Sequence, residues 1–432
     1  MRTTSMSKLL FTRIGIAVLA AIVTLTSVSC STASSSNLNP KPIDQTSTTK
    51  PSAAKPKIVV NPKLVEANTR FSFKLFSEIL KQDGKKNVFV SPSSVAIALS
   101  MVYNGAKGET QQAIAKALEM QGMSLSEINQ ANANLKTSLE SSDPNVQLTI
   151  ANSLWARKGV DFKPEFIQRN QTFYAAEVKS LDFADPSAPS QINGWVKKNT
   201  QGKISEIVDR IDAEQVMFLI NAIYFKGKWM NEFDKSQTTD QPFTLANGRP
   251  KQHPMMSQKG DYRYYENQQF QAVSLPYGKG RTSLYVFLPK SNSSLAEFQK
   301  TLTAENWQTW MKAFGKREGS IQLPRFKMDY EIELKKSLSA LGMGVAFDPS
   351  KADFSNLSTT STRIDEVKHK TFVEVNEEGT EAAAVTSVGI RATSAQVTVA
   401  PFSMTVDRPF FCAIRDNKTG AILFMGSIND PT

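Results

Sequence analysis

Between Glu377 and Ser394 the chain carries a run whose local signals disagree, and the disagreement limits what it can fold into: E-E-G-T-E-A-A-A-V-T-S-V-G-I-R-A-T-S. Glu377 to Ala384 has the composition of a helix, but from Val385 the β-branched and small residues favour a strand. Alternation resolves the conflict. Every second residue gives Thr380, Ala382, Ala384, Thr386, Val388 and Ile390, small to apolar. The intervening Glu381, Ala383, Val385, Ser387, Gly389 and Arg391 are more polar and carry charge at both ends. Successive side chains of a strand face opposite ways, so the first set suits a core and the second suits solvent. No proline interrupts the backbone from Gly379 to Ala400, and every amide there is able to join a ladder. Glu377, Glu378 and Gly379 read as a flexible, solvated hinge. The run is expected either as an ordinary exposed loop or frayed helix, or as a conditional strand, exposed in one state and inserted in another.

A chain of 432 residues is long enough to bury a substantial core. Its formal charge of +11 is partly an end effect. Arg2, Lys8 and Arg13 lie in the first segment, and Lys41, Lys50, Lys55 and Lys57 against Asp44 in the next; removing both leaves about +5. That excess is too weak to imply a nucleic-acid partner, and no aromatic-basic patch supports one. Cys30 and Cys412 are too few for a disulfide framework. Cys412 stands in an apolar run, Pro409 to Ile414, and reads as a buried, inert thiol.

Residues 1–29 read as an export signal, with a basic leader, an apolar stretch from Ile14 to Leu25, and Ser27-Val28-Ser29 as a small-residue cleavage site. The apolar stretch is shorter than the roughly 20 residues a spanning helix needs. Cys30 directly after it resembles a bacterial lipobox, whose cysteine is lipidated; Ser27 departs from that pattern, since a leucine-like residue is usual there. Residues 30–60 are rich in Ser, Thr, Pro and Lys and form a flexible tether, so the folded domain is expected over 61–432. Within it, Val65 to Leu80 has helical period, Asn87 to Val90 is a short strand, and Ser91-Pro92-Ser93-Ser94 starts a helix with serine as its cap. Strands are expected at Gln147 to Arg157, Tyr262 to Tyr265, Phe270 to Leu275, Ser283 to Leu288 and Ser320 to Leu323. Helices are expected at Pro164 to Ala175, at Ser190 to Ile207 with a turn through Gly202, at Leu295 to Phe314, and at Tyr330 to Leu341, ending at Gly342. Met217 to Trp229 is a near-continuous apolar strand, buried on both faces, so Asn221 within it requires a buried hydrogen-bond partner.

Three motifs now stand in order: N-V-F-V-S-P-S-S-V-A-I-A-L-S-M-V-Y-N-G-A-K-G-E-T, then E-E-G-T-E-A-A-A, then D-R-P-F-F-C-A-I with G-A-I-L-F-M-G-S-I. Together they resemble the serpin family of serine protease inhibitors, here as a bacterial, exported, lipoprotein-like member. The resemblance implies an α+β fold of three β-sheets with about eight or nine helices, and an exposed reactive-centre loop over about 377–400. It implies that Ser91 and Ser94 lie under the central sheet where it opens, and that His369, in H-K-T-F-V-E-V, bonds Asn221 beneath that sheet. The hinge would be Glu377, Glu378, Gly379, Thr380, Glu381, Ala382, Ala383 and Ala384. A target protease would cut the loop, form an acyl-enzyme and be trapped as the cut strand enters the central sheet. Family spacing from Gly379 puts the cut between Thr393 and Ser394, which suits an elastase-like or subtilisin-like enzyme; Arg391–Ala392 is the alternative and would suit a trypsin-like one.

Catalytic machinery is not legible. The histidines are His253 and His369, no G-x-S-x-G, H-E-x-x-H or Walker A motif occurs, and Tyr277-Gly278-Lys279-Gly280-Arg281 reads as a solvated hairpin turn and not a phosphate loop. The expectation is a monomeric non-enzyme without a cofactor, on which a protease acts. The competing class is a non-inhibitory serpin serving as a carrier, chaperone or interaction module, although Thr380 to Ala384 lacks the bulky, proline or charged hinge residues such members tend to carry.

Overall fold

The computed structural model describes residues 58–140, 143–212, 214–380 and 400–432. Helix α1 (Pro62–Asp83) starts on an Asn61 cap whose side chain accepts from the Lys63 amide, with proline in its first turn. Strand β1 (Val88–Val90) leads into α2 (Pro92–Tyr103), every residue of which is buried. A helix apolar all round belongs inside a protein, and α2 packs against both sheets of the fold. The helices α3 (Gly108–Ala117) and α4 (Leu125–Glu140) follow. Next come β2 (Val146–Arg157), α5 (Pro164–Tyr174), β3 (Glu177–Leu181), α6 (Ala188–Asn199) and β4 (Met217–Lys228). Then come β5 (Thr239–Thr244), β6 (Pro250–Glu266), β7 (Phe270–Tyr277), β8 (Thr282–Pro289), α7 (Leu295–Lys300), α8 (Ala304–Ala313) and β9 (Gly315–Pro324). The chain closes with β10 (Phe326–Glu333), α9 (Lys335–Leu338), β11 (Glu366–Asn376), β12 (Gly379–Thr380), β13 (Phe402–Thr405), β14 (Phe410–Asp416) and β15 (Ile422–Ile428).

Hydrogen bonding joins these strands into two networks, of six and nine strands. The six-stranded sheet has the order β10-β11-β12-β4-β2-β3. The larger network turns on the long β6, which pairs with β5 and β9 along much of its length and with β7 at its end. One strand group, β5-β6-β9-β13, is thereby linked to another, β7-β8-β14-β15-β1, so the sheets expected as separate are continuous through one strand.

β4 is buried on both faces, and the packing shows why. Met217, Leu219, Ile223 and Phe225 join the main core, while Phe218, Ile220 and Ala222 face a smaller cluster with Ile192 and Val196 of α6. Three expectations are corrected. The helix foreseen over Tyr330 to Leu341 forms only from Lys335, as α9 and the helical turn Ser339–Met343 after it, while its first four residues close β10, whose Phe326, Met328, Tyr330 and Ile332 point inward and Lys327, Asp329, Glu331 and Glu333 outward, a strict period of two. The helix foreseen as reaching Ile207 ends at Asn199, and the turn expected through Gly202 follows it, with Gln201 and Gly202 at positive φ. The helix foreseen over Leu295 to Phe314 breaks in two, because the Thr303 side chain caps a fresh start by accepting from the Asn306 amide.

Candidate functional site: the open end of the central sheet

In the six-stranded sheet β11 and β4 touch directly along only part of their length. They pair in parallel from Glu366↔Phe218 to Thr371↔Ile223. Beyond that point they part, and at the far end β12 stands between them, antiparallel to both. Thr380 pairs with Val375 on one side and Gly227 on the other, and Gly379 with Asn376 and Lys228. The sheet is therefore closed at one end and wedged apart at the other by the first two residues of the run that opened the sequence.

Those two residues are tightly held. Gly379 adopts φ of +149°, and a Cβ there would stand 2.1 Å from the Gly227 carbonyl oxygen, so only glycine fits. Thr380 is wholly buried, its Oγ1 2.6 Å from the hydroxyl of Tyr277. Tyr277 in turn stacks on Trp229 at 4.4 Å, and the Trp229 indole donates to the Asn376 carbonyl at 2.8 Å. Burial drives the Tyr277 phenol well above its usual range, so it stays protonated.

The solvated hinge expected at Glu377 and Glu378 is not what forms: the two residues are 2% and 7% exposed. Arg325 binds Glu377 through Nε at 2.7 Å and a second nitrogen at 2.6 Å, and Thr238 donates to the same carboxylate at 2.5 Å. Lys235 pairs with Glu378. The backbone is held too, since the Phe233 and Trp229 amides donate to the carbonyls of Glu377 and Glu378. Burial raises the Glu377 carboxyl, but the bonds from Arg325 and Thr238 outweigh it and leave the group below the ordinary carboxylate range. Charged side chains are buried here because cations and hydroxyls from distant segments reach them.

Beneath the closed end lies a buried polar cluster that brings together Ser91, Ser94, Asn221 and His369. The Ser91 amide donates to His369 Nε2 at 3.0 Å. An amide has only a proton to offer, so Nε2 is unprotonated and the ring proton sits on Nδ1, which donates to Asn221 Oδ1 at 2.6 Å. Asn221 Nδ2 donates to Asn152 Oδ1 at 2.6 Å and to the Ser94 carbonyl at 3.2 Å, and also reaches the Ser94 hydroxyl. Thr371 adds a bond to the Phe89 carbonyl at 2.5 Å. Burial pushes the imidazole of His369 down to about 3, against the opposing hydrogen bond to Asn221, so it is neutral at ordinary pH.

The family model for serpins, described as serine protease inhibitors, matches residues 66–431. The chain is a serpin. It is 38% identical over 377 residues to human Serpin B8 and 36% identical over 381 residues to human leukocyte elastase inhibitor, with 85% of this chain and 99% of each relative covered. The crystal structure of a thermophilic serpin, Tengpin, in its native state matches with a TM-score of 0.79 and 35% identity over 86% of this chain and 95% of that one. Thyroxine-binding globulin complexed with thyroxine matches with a TM-score of 0.77 and 28% identity over 86% and 100%.

Several expected site residues of this serpin lie outside the described residues: Glu381, Ala382, Ala383 and Ala384 of the hinge, the bond candidates Arg391, Ala392, Thr393 and Ser394, and Cys30 with the leader and most of the tether. Five residues that hold the anchor went unread as such in the sequence, namely Trp229, Lys235, Thr238, Tyr277 and Arg325. Tyr277 left one usable trace, an aromatic closing an apolar strand just before glycine, where a purely solvated turn would place a polar residue.

Proposed function

We propose that this serpin inhibits serine proteases by offering its loop for cleavage and then drawing the cut strand into the six-stranded sheet. The observation that carries this is the sheet's half-open state, in which β12 already pairs with both β11 and β4 while those two strands remain joined below it. Continuing the same antiparallel register in the cleaved state sets Ala382 between Val373 and Phe225, Ala384 between Thr371 and Ile223, and Thr386 between His369 and Asn221. The inward set read from the sequence is the set this register turns toward the core, where Val367, His369, Thr371, Val373 and Val375 of β11 are buried. Entry of Thr386 must break the bond between His369 and Asn221. A threonine hydroxyl can accept from Nδ1–H and donate to the amide oxygen, so the inserted residue satisfies both groups that the broken bond leaves.

The cut is assigned to Thr393–Ser394, with Arg391–Ala392 as the alternative; small residues at the first bond favour an elastase-like or subtilisin-like target. The basic leader, the short apolar run and Ser27-Val28-Ser29 support export, and Cys30 directly after them supports a lipid anchor with 31–60 as spacer. The test is incubation with an elastase-like and a trypsin-like protease, followed by denaturing gels and sequencing of the released C-terminal peptide. A covalent adduct with a peptide starting at Ser394 is expected. Complete cleavage without adduct, with the protease still active, rejects the inhibitory reading. Labelling with a tagged fatty acid that is equal in wild type and Cys30→Ala rejects the anchor.

A further inference from the structure

Admitting a strand moves matter as well as bonds. β4 must separate from β11 by roughly one strand spacing, about 4.8 Å. β2 pairs along β4, and β3 pairs with β2, so both travel with it. α4 leads into β2 and α5 into β3, with Tyr174 at the end of α5 just before Glu177. β11 is tied the other way. Thr371 holds the Phe89 carbonyl, His369 holds the Ser91 amide, and β1 pairs with β15 of the larger network. A slip plane therefore runs between α2 on one side and the α4–β2–α5–β3 group on the other.

Besides the Asn221–Ser94 contact already described and the longer Asn132–Ser100 bond, a reciprocal polar contact sits across that plane. Asn104, which closes the C-terminus of α2, and Asn129 of α4 exchange amide hydrogen bonds, Asn104 Nδ2 to Asn129 Oδ1 at 2.9 Å and the reverse at 2.8 Å. Both residues are buried, at 0% and 2% exposed. Asn104 Nδ2 also reaches the Ser100 carbonyl at 3.0 Å, a bond inside α2, and Tyr174 donates to Asn129 Oδ1 at 2.6 Å, a bond inside the moving group. A displacement of about 4.8 Å leaves those two internal bonds whole and pulls the amide pair apart, stranding buried donors and acceptors while the sheet is open.

We infer that the Asn104–Asn129 pair holds the α4–β2–α5–β3 group against α2 and sets how readily the sheet opens to take in the cut strand; this rests on the inhibitory reading above. The pair acts by positioning and touches neither the loop nor the protease.

The test compares Tyr174→Phe with Tyr174→Phe/Asn104→Leu/Asn129→Leu in the full chain. The first removes a bond inside the moving group, and the second then replaces the cross-plane pair with apolar groups of similar size, leaving no phenol without its acceptor. Amide hydrogen exchange is followed at Lys368 to Thr371 and Ile220 to Ile223, the ladder that must part, and at β14 and β15 as an internal reference. The triple variant is expected to exchange about tenfold faster than Tyr174→Phe in the ladder alone, and to raise the ratio of covalent adduct to free cleaved serpin. Unchanged ladder exchange overturns the inference, and so does an equal increase in β14 and β15, which marks a loss of overall stability. If ladder exchange rises but wild type forms no adduct with any serine protease, the hold on the sheet stands and the inhibitory reading falls.

Discussion

Replacing Thr380 with arginine puts a charge where the sheet admits none. The position is wholly buried between β11 and β4, and the Tyr277 hydroxyl already stands 2.6 Å from its Oγ1. Of the nearby carboxylates, Glu377 is held by Arg325 and Thr238, and Glu378 is held by Lys235 through Oε1, its buried Oε2 having no hydrogen-bond partner among the described residues. Losing the Tyr277 bond costs about 1–3 kcal/mol, and leaving a guanidinium buried without a partner costs several more. The cheaper outcome is that β12 leaves the sheet and the arginine reaches water, so insertion starts against a barrier raised by at least about 3 kcal/mol. At 1.36 kcal/mol per tenfold, insertion slows by about two orders of magnitude while deacylation of the trapped protease is untouched. The variant is therefore expected to act as a substrate. The assay titrates protease with serpin and quantifies adduct against cleaved serpin on denaturing gels, with Thr380→Val, which removes the hydroxyl alone, expected in between. An adduct fraction equal to wild type in Thr380→Arg refutes the reasoning.

The His369 imidazole is held near 3, below its unfolded value of 6.5. Between those limits the unfolded chain binds a proton that the native one does not, so stability is complete above pH 6.5 and falls with acidification by up to about 1.4 kcal/mol per pH unit. Denaturant unfolding across that range checks it, and His369→Gln is expected to flatten the slope. Gly379→Ala drives a Cβ into the Gly227 carbonyl and is expected to expel β12, lowering the melting temperature of the uncut protein by several degrees and the adduct yield with it; an unchanged melting temperature contradicts the geometry. Arg325→Ala leaves the Glu377 carboxylate buried with Thr238 as its remaining side-chain donor among the described residues. It is expected to destabilise the uncut protein by about 3 kcal/mol, with the double variant Arg325→Ala/Glu377→Gln recovering part of the loss in the same unfolding experiment.

What was legible in the sequence is what periodicity writes locally. The period of α1, the doubly apolar β4 and the alternation after Gly379 each follow from a single segment and its own burial. Glu377 and Glu378 show the limit. Two adjacent carboxylates before glycine read as solvated because nothing nearby neutralises them. The partners that bury them, Arg325, Lys235 and Thr238, come from other strands and turns, and proximity in the fold leaves no trace in the spacing. The start of the helix read at Tyr330 failed for a different reason: Tyr330 to Glu333 are too few to fix a period, and the neighbouring β11 draws them into β10. The pairing of Asn221 with His369 comes from motif resemblance, since a parallel ladder between segments so far apart carries no local signal.

The geometry also accounts for why cutting the chain matters. Both ends of the run between Thr380 and Ala400 are tied to the stretch of chain that forms β9 and β10. Thr380 pairs with Val375, which pairs with Phe326, and Phe326 follows closely on β9, the strand on which β13 lies and whose Arg317 holds the Ala400 carbonyl. Insertion in the existing register as far as Ile390 carries the chain about ten residues, or roughly 34 Å, down the sheet. The remaining residues, 391–399, span at most about 32 Å when fully extended. An intact loop that entered so deeply would be too short to return to the level at which it entered, and the strain would fall on the short pairing of β13 with β9. Severing the run near Thr393 removes that tether at a stroke, so the parallel contacts of β11 and β4 compete with an incoming strand that no longer has to come back.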